Sequence, residues 1–175
     1  MAALTLIDSL PPETRTESLI RVLPTLVMHD PEAAIDAIAE RQDESMPDLL
    51  LPAASSIWAQ FDAASALNRV LELGRGRAWD NAIASVARSL IRFDVDGASD
   101  AIDEIDDTAI RRRAVRQALT VVSSDEQAIR LGRDHGFSRD SVLEMRAQWQ
   151  GRDRDRPSLS VPLPAPALLL LLANR

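Results

Sequence analysis

Four aspartates, Asp30, Asp62, Asp94 and Asp125, stand 32, 32 and 31 residues apart, and no other feature of the chain limits its fold as strongly. Each lies where one apolar periodic segment stops and another starts. Three, four and eleven residues before them come Val27, Leu26 and Leu19; Ala59, Trp58 and Leu51; Ile91, Leu90 and Ile83; and Val122, Val121 and Ala114. Those offsets share one face of a 3.6-residue helix. Four and eight residues after the aspartates come Ala34 and Ile38, Ala66 and Val70, Ala98 and Ile102, and finally Ile129 and Arg133. A second helix with its own inward stripe therefore follows each aspartate, and the stripe fades in the last copy. Aspartate favours the N-cap because its carboxylate accepts hydrogen bonds from the unpaired first-turn amides and opposes the positive end of the helix dipole. Alanine at the fourth position suits a close helix crossing, where a larger side chain overpacks.

The spacing predicts helical hairpins at about 14–41, 47–73, 78–105 and 107–134, then a helix at about 138–150. Local signals agree: Thr14 and Glu17 form a capping-box pattern, Ser45 precedes Pro47 at a first turn, and Gly74 with Gly76 marks a break. Pro24 falls inside the first helix, where it deletes a backbone hydrogen bond and is expected to kink or split it. Residues 2–10 read as the second helix of a preceding unit, with Leu6 at the register of Ile38, Val70 and Ile102. The predicted organisation is a repeat domain over 1–150 and a charged linker with a Pro- and Leu-rich tail over 151–175.

Composition supports helix. The hydrophobic share is 46% and the charged share 27%, with no tyrosine and few β-branched runs, so a packed all-α domain is expected rather than a disordered chain. All twenty basic residues are arginine, yet the net charge is −7, which argues against a broad phosphate-binding surface. With no cysteine, thiolate metal sites, disulfides and cysteine nucleophiles are excluded. The first ten residues lack the basic and apolar regions of a signal peptide, so a cytoplasmic location is expected.

The period and the amphipathic pattern over roughly residues 2–150 resemble the TPR-like and HEAT-like α-solenoid repeats. The TPR consensus has a period of 34 with an early Trp, a Gly and a Tyr; this chain has no tyrosine, and Trp58 occupies its position in one copy alone. The resemblance implies an all-α, short right-handed α-solenoid of about four hairpins whose exposed groove binds a protein or peptide.

The densest charge feature runs Asp94, Asp96, Asp100, Asp103, Glu104, Asp106, Asp107 and then Arg111, Arg112, Arg113, Arg116. Asp94-Val-Asp-Gly opens like a calcium loop, but Ser99 and Ile105 stand where such a loop needs glycine and a bidentate glutamate. A solvated acidic helix face is the plainer account. The arginines flank the apolar stripe Ile110, Ala114, Val115, Ala118 and Val122, either as an exposed face paired with that acidic helix or as a guanidinium cluster for a carboxylate or phosphate. Arg112 and Arg116 are the candidates for the second role, with Trp149 as an exposed partner anchor or a cover for the end of the stack. His29 precedes Asp30 as Phe61 and Phe93 precede Asp62 and Asp94, which predicts a half-buried packing position. His135, beside Asp134, has no nucleophile near it in the predicted layout and reads as part of a helix-ending loop.

In the tail, Val161-Pro-Leu-Pro-Ala165 resembles the opening of VPLPA-type C-terminal sorting signals of bacterial exported proteins, which makes export, with truncated ends, the alternative to a cytoplasmic location. The apolar run that follows is about half the roughly 20 residues a bilayer-spanning helix needs, so no stable membrane span is expected. The leading expectation is a non-enzymatic protein- or peptide-binding module with no cofactor. Its alternatives are a small helical metal- or ligand-binding domain using the 94–107 cluster, and a HEAT-like nucleic-acid binder.

Overall fold

The computed structural model describes residues 7, 9–40 and 45–154. Among these residues there are nine helices and no strand: α1 (Pro12–His29), α2 (Pro31–Ala39), α3 (Ser45–Trp58), α4 (Ala63–Leu73), α5 (Arg77–Leu90), α6 (Val95–Asp103), α7 (Thr108–Val121), α8 (Asp125–Asp134) and α9 (Arg139–Arg154). The hairpins α1–α2, α3–α4, α5–α6 and α7–α8 fall within a few residues of their predicted limits. α9 runs past residue 150 to Arg154, so the first part of the expected charged linker is helical. The predicted half-hairpin at 2–10, apart from Ile7, Ser9 and Leu10, and the tail string at 161–165 lie outside the described residues.

Three of the four aspartates do what their spacing predicts. Asp30, Asp62 and Asp94 accept from the backbone N–H of Ala33, Ser65 and Gly97 at 3.0, 3.0 and 2.9 Å. Their backbones nearly superpose, with φ of −150°, −151° and −141°. In each, the aspartate N–H also closes the preceding helix by donating to the carbonyl four residues earlier, at Leu26, Trp58 or Leu90. One residue thus ends a helix and starts the next, which makes the turn between them short and reproducible. Amide hydrogen bonds hold the Asp62 carboxyl below the usual carboxylate range, since Ser65 donates to its charged form.

The fourth copy departs from the rule. Ser124 is the cap of α8, its hydroxyl accepting from Gln127 N–H at 3.2 Å, and Asp125 lies one residue inside the helix. Counted from Ser124, the fourth and eighth positions are Ala128 and Gly132, both buried. The inward stripe of the last copy has slipped by one residue instead of fading. Gly132 gives α9 room, because a Cβ there would collide with the fully buried Val142.

Two expectations about α1 are also corrected. The helix begins at Pro12, with Pro11 at the cap position and no capping side chain; the Thr14 hydroxyl donates back to the Pro11 carbonyl, and Glu17 pairs with Arg21. The helix starts two residues before Thr14, so Thr14 is already inside the first turn, and Pro11 at the cap has neither a side-chain acceptor nor an N–H with which to make a capping box. α1 also runs through Pro24 as one helix, so the proline, exposed at the surface, does not split it, and α3 likewise runs through the half-buried Pro52.

Every odd-numbered helix packs on the next odd-numbered one, and each packs on its own hairpin partner. The α3–α5 contact is the most extensive. Its buried faces are rich in small residues, with Ala54, Ser55 and Ala59 on one side and Ala78, Ala82 and Ala87 on the other, which lets the backbones approach closely. The positions three, seven and eleven before the cap form the continuous buried stripe of the odd helices: Val27, Leu23, Leu19; Ala59, Ser55, Leu51; Ile91, Ala87, Ile83. Ala34, Ala66 and Ala98 are at most 4% exposed, as a close crossing requires. Even helices meet less: α2 touches α4 and α6 touches α8, whereas α4 and α6 share no comparable contact. Between those two, Gly74 and Gly76 break the chain at φ +156° and +123°, and a Cβ on Gly74 would press on the Trp79 ring at 3.3 Å.

Polar bonds tie neighbouring copies laterally. Arg69 on α4 donates from Nε to Asp36 on α2 at 2.7 Å and from Nη1 to Glu72 on its own helix at 3.0 Å, contacts that raise its already high basicity. Arg113 on α7 reaches Asn81 on α5 at 2.6 Å, and Arg130 on α8 pairs with Asp96 on α6 at 3.6 Å. The buried Asp80 of α5 receives the backbone N–H groups of Asp106 and Asp107 at 3.0 and 2.9 Å, fixing the entry to α7. Among the described residues no helix is long and apolar enough to cross a membrane.

Candidate functional site

The surface between α7 and α9 holds a groove of about 540 Å³ lined by Arg113, Arg116, Gln117, Thr120, Met145, Gln148 and Trp149. α7 supplies one wall because its buried stripe, Ile110, Ala114, Val115, Ala118 and Leu119, turns the intervening Arg113, Arg116 and Gln117 outward. α9 supplies the other, and its position depends on one residue. Arg146 is buried, donating from Nε to Asp125 at 2.7 Å and from Nη1 to the carbonyls of Leu119 and Val122 at 2.7 and 2.8 Å. Those carbonyls are among the last of α7, where helix ends leave acceptors free and the dipole favours a cation. Three residues further along α9, Trp149 stands 48% exposed at the mouth of the groove, with Met145 half-buried beneath it.

Of the residues singled out from sequence, the fold brings Arg116 and Trp149 together, adds Arg113, and leaves Arg112 outside the lining. Among the described residues no carboxylate pairs with Arg112, Arg113 or Arg116. The Arg116 Nε donates weakly to its own helix, to the Arg112 carbonyl at 3.4 Å. Arg111 turns inward, its guanidinium donating to the Ile105 carbonyl. Among the described residues the expected ion pairs between Arg112, Arg113 or Arg116 and the acidic cluster do not form, although the Arg113 charge still helps to lower the Asp107 carboxyl, and five of the seven carboxylates have other partners. Asp94 and Asp107 cap helices, Asp96 meets Arg130, Asp106 meets Arg75, and Asp103 faces His135. The caps hold the Asp107 carboxyl low, mainly through the N–H groups of Ile110 and Ala109. Among the described residues no group of three or more His, Asp or Glu side chains is placed to hold a metal ion.

Two features went unread in the sequence. The residue before each cap is exposed, not half-buried: His29 lies at the surface, Phe61 is 53% exposed and Phe93 89%. The buried stripe runs three, seven and eleven residues before the cap, so the position just before the cap lies about 200° round the helix from it, given 3.6 residues per turn. That arithmetic was available from the spacing. The second is a side-chain meeting that spacing alone does not show. His135, whose side chain is 6% exposed, sets Nε2 3.0 Å from the Ser99 hydroxyl and Nδ1 3.5 Å from Asp103. The expectation that no nucleophile stands near His135 is therefore corrected.

Compared with known proteins, the chain matches no protein-family model, no curated protein and no solved structure.

Proposed function

We propose that this chain is a short α-solenoid of the TPR-like kind that binds peptides or proteins, with the α7–α9 groove taking an acidic segment that carries a large apolar side chain. The observation that carries the reading is the groove's composition: an exposed tryptophan and a half-buried methionine beside Arg116, whose guanidinium has no carboxylate partner among the described residues, and Arg113, which is bonded to Asn81. An arginine fork donates two parallel hydrogen bonds to a carboxylate, and a tryptophan offers a large rigid contact at small entropic cost. Stacking is supported by the period near 32, by the packing of alternate helices and by the polar bonds between copies. The net charge of −7 weighs against nucleic acid and leaves this cationic groove as a local exception suited to an acidic peptide.

The test is a fluorescence titration with a short Asp- and Glu-rich peptide bearing one phenylalanine. Trp58 is buried and Trp79 half-buried, so an intrinsic change arises chiefly from Trp149. Binding is expected to weaken about tenfold or more for Arg116→Glu, less for Arg112→Glu, and by a smaller factor at raised salt. Phe93→Ala, on a different surface, leaves it unchanged. A peptide that fails to bind, or binds Arg116→Glu as well as the unaltered chain, refutes the assignment of this groove.

A further inference from the structure

We infer that Ser99, His135 and Asp103 form a base-activated nucleophile that accepts an acyl group from a small ester. This site lies on α6 and the end of α8, away from the peptide groove, and stands or falls separately from it. Ser99 and Asp103 are four residues apart on α6 and so share one face. His135 is the C-cap of α8, which packs on α6, and its ring enters between them. Asp103 accepts only, so the tautomer with the ring proton on Nδ1, which faces it at 3.5 Å, is the one it favours, and in that tautomer Nε2 receives the Ser99 hydroxyl at 3.0 Å. The order hydroxyl, imidazole, carboxylate, with these atoms facing, is the arrangement by which a serine is deprotonated as it attacks. Burial holds the ring in place: the histidine side chain is 6% exposed, while Ser99 remains half-exposed.

Ser99 opens onto a recess of about 130 Å³ lined also by Val95, Asp96, Asp100, Arg130, Leu131 and Asp134. The volume admits only a small acyl group. Three carboxylates against one arginine favour an ester whose alcohol portion is cationic. In the reaction the Ser99 Oγ forms a bond to the acyl carbon and the bond from that carbon to the leaving group breaks. The hydroxyl proton passes to His135 Nε2 and from there to the leaving group. Ser99 lies within α6, where its backbone N–H is bonded to the preceding turn, so there is no backbone oxyanion hole, and the cation lining the recess, Arg130, is itself paired with Asp96 at 3.6 Å. The expected result is a single acylation that hydrolyses slowly, not rapid turnover.

The probe is acetylthiocholine, a small cationic acyl donor. The chain has no cysteine, so released thiol reports the probe alone. Expected is a stoichiometric burst of thiol with the acetyl group located on Ser99 by peptide mass spectrometry. Ser99→Ala abolishes the burst. His135→Gln slows it about a hundredfold or more, the span of a lost general base. Asp103 acts through the histidine as a positioning residue, so Asp103→Asn slows acetylation while Asp103→Glu restores it, with melting temperatures of both variants alike. No acetyl group on Ser99, acetylation at another residue, or equal rates in the chain and in His135→Gln would each show the trio to be a tether between α6 and α8.

Discussion

The first three helix caps and the fourth occupy equivalent places in the sequence pattern and do different work. Asp30, Asp62 and Asp94 each accept from an amide three residues on and close the helix behind them. At the fourth, Ser124 takes over the cap and Asp125, freed from it, accepts from the buried Arg146. The shift moves the inward stripe of α8 by one residue, puts Gly132 where the other copies have Ile38, Val70 and Ile102, and lets α9 close over it. A repeat that only propagated itself would need no such change. The difference teaches that the fourth copy is built to receive a different neighbour, α9, and that this docking makes the α7–α9 groove.

The largest effect is expected from breaking that docking. Arg146→Met keeps the aliphatic stem but leaves Asp125 and two helix-end carbonyls unpaired, a loss of about 3 kcal/mol, or roughly 6–12 °C in melting temperature by differential scanning calorimetry. An unchanged melting temperature with the groove intact would mean that α9 is held by its apolar contacts alone.

A smaller effect separates the two kinds of cap. Ser124→Ala is expected to cost about 1 kcal/mol and to speed hydrogen exchange at the Gln127 amide, as Asp94→Ala does at the Gly97 amide. Were Asp125 the true cap, Ser124→Ala would leave the Gln127 exchange rate untouched.

The smallest effect is on acid stability. Amide hydrogen bonds hold the Asp62 and Asp107 carboxyls below the usual carboxylate range, so the unfolded chain binds more protons than the folded one as the pH drops. Their contribution is fully present above the unfolded value and lost as the pH falls through the lowered folded one. Asp107→Asn keeps a good cap without the titration. Its melting temperature is expected to fall less steeply with acid than that of the unaltered chain, and an identical slope would remove Asp107 from the pH dependence.

Much of the fold was legible because caps and stripes are local. A carboxylate at a helix start and a Val, Leu or Ala every three or four residues act within a few turns, and Asp62, Ala66 and Val70 could be placed from spacing alone. Pro24 misled on the split because a proline inside a helix removes one hydrogen bond, a loss that the packing of α1, like that of α3 around Pro52, outweighs. Thr14 and Glu17 misled because proline at the first helical position starts the helix two residues earlier and leaves them inside it. At the groove, exposed Arg116 and Trp149 were readable as unexplained residues, but their meeting across α7 and α9 was not, since it depends on the angle at which Arg146 pins one helix to the other.

By itself, then, the sequence determined that this chain forms helices, where nearly all of them start and stop, and which faces they hide, because those choices are made by hydrogen bonds and side-chain periodicity within one or two turns. Tertiary structure alone decided that Ser124 replaces Asp125, that a buried arginine seats the last helix, and that His135 lies between Ser99 and Asp103. Each of these joins residues between 21 and 36 positions apart or follows from such a join. Contacts at that range are set by how whole helices pack, which no local pattern encodes.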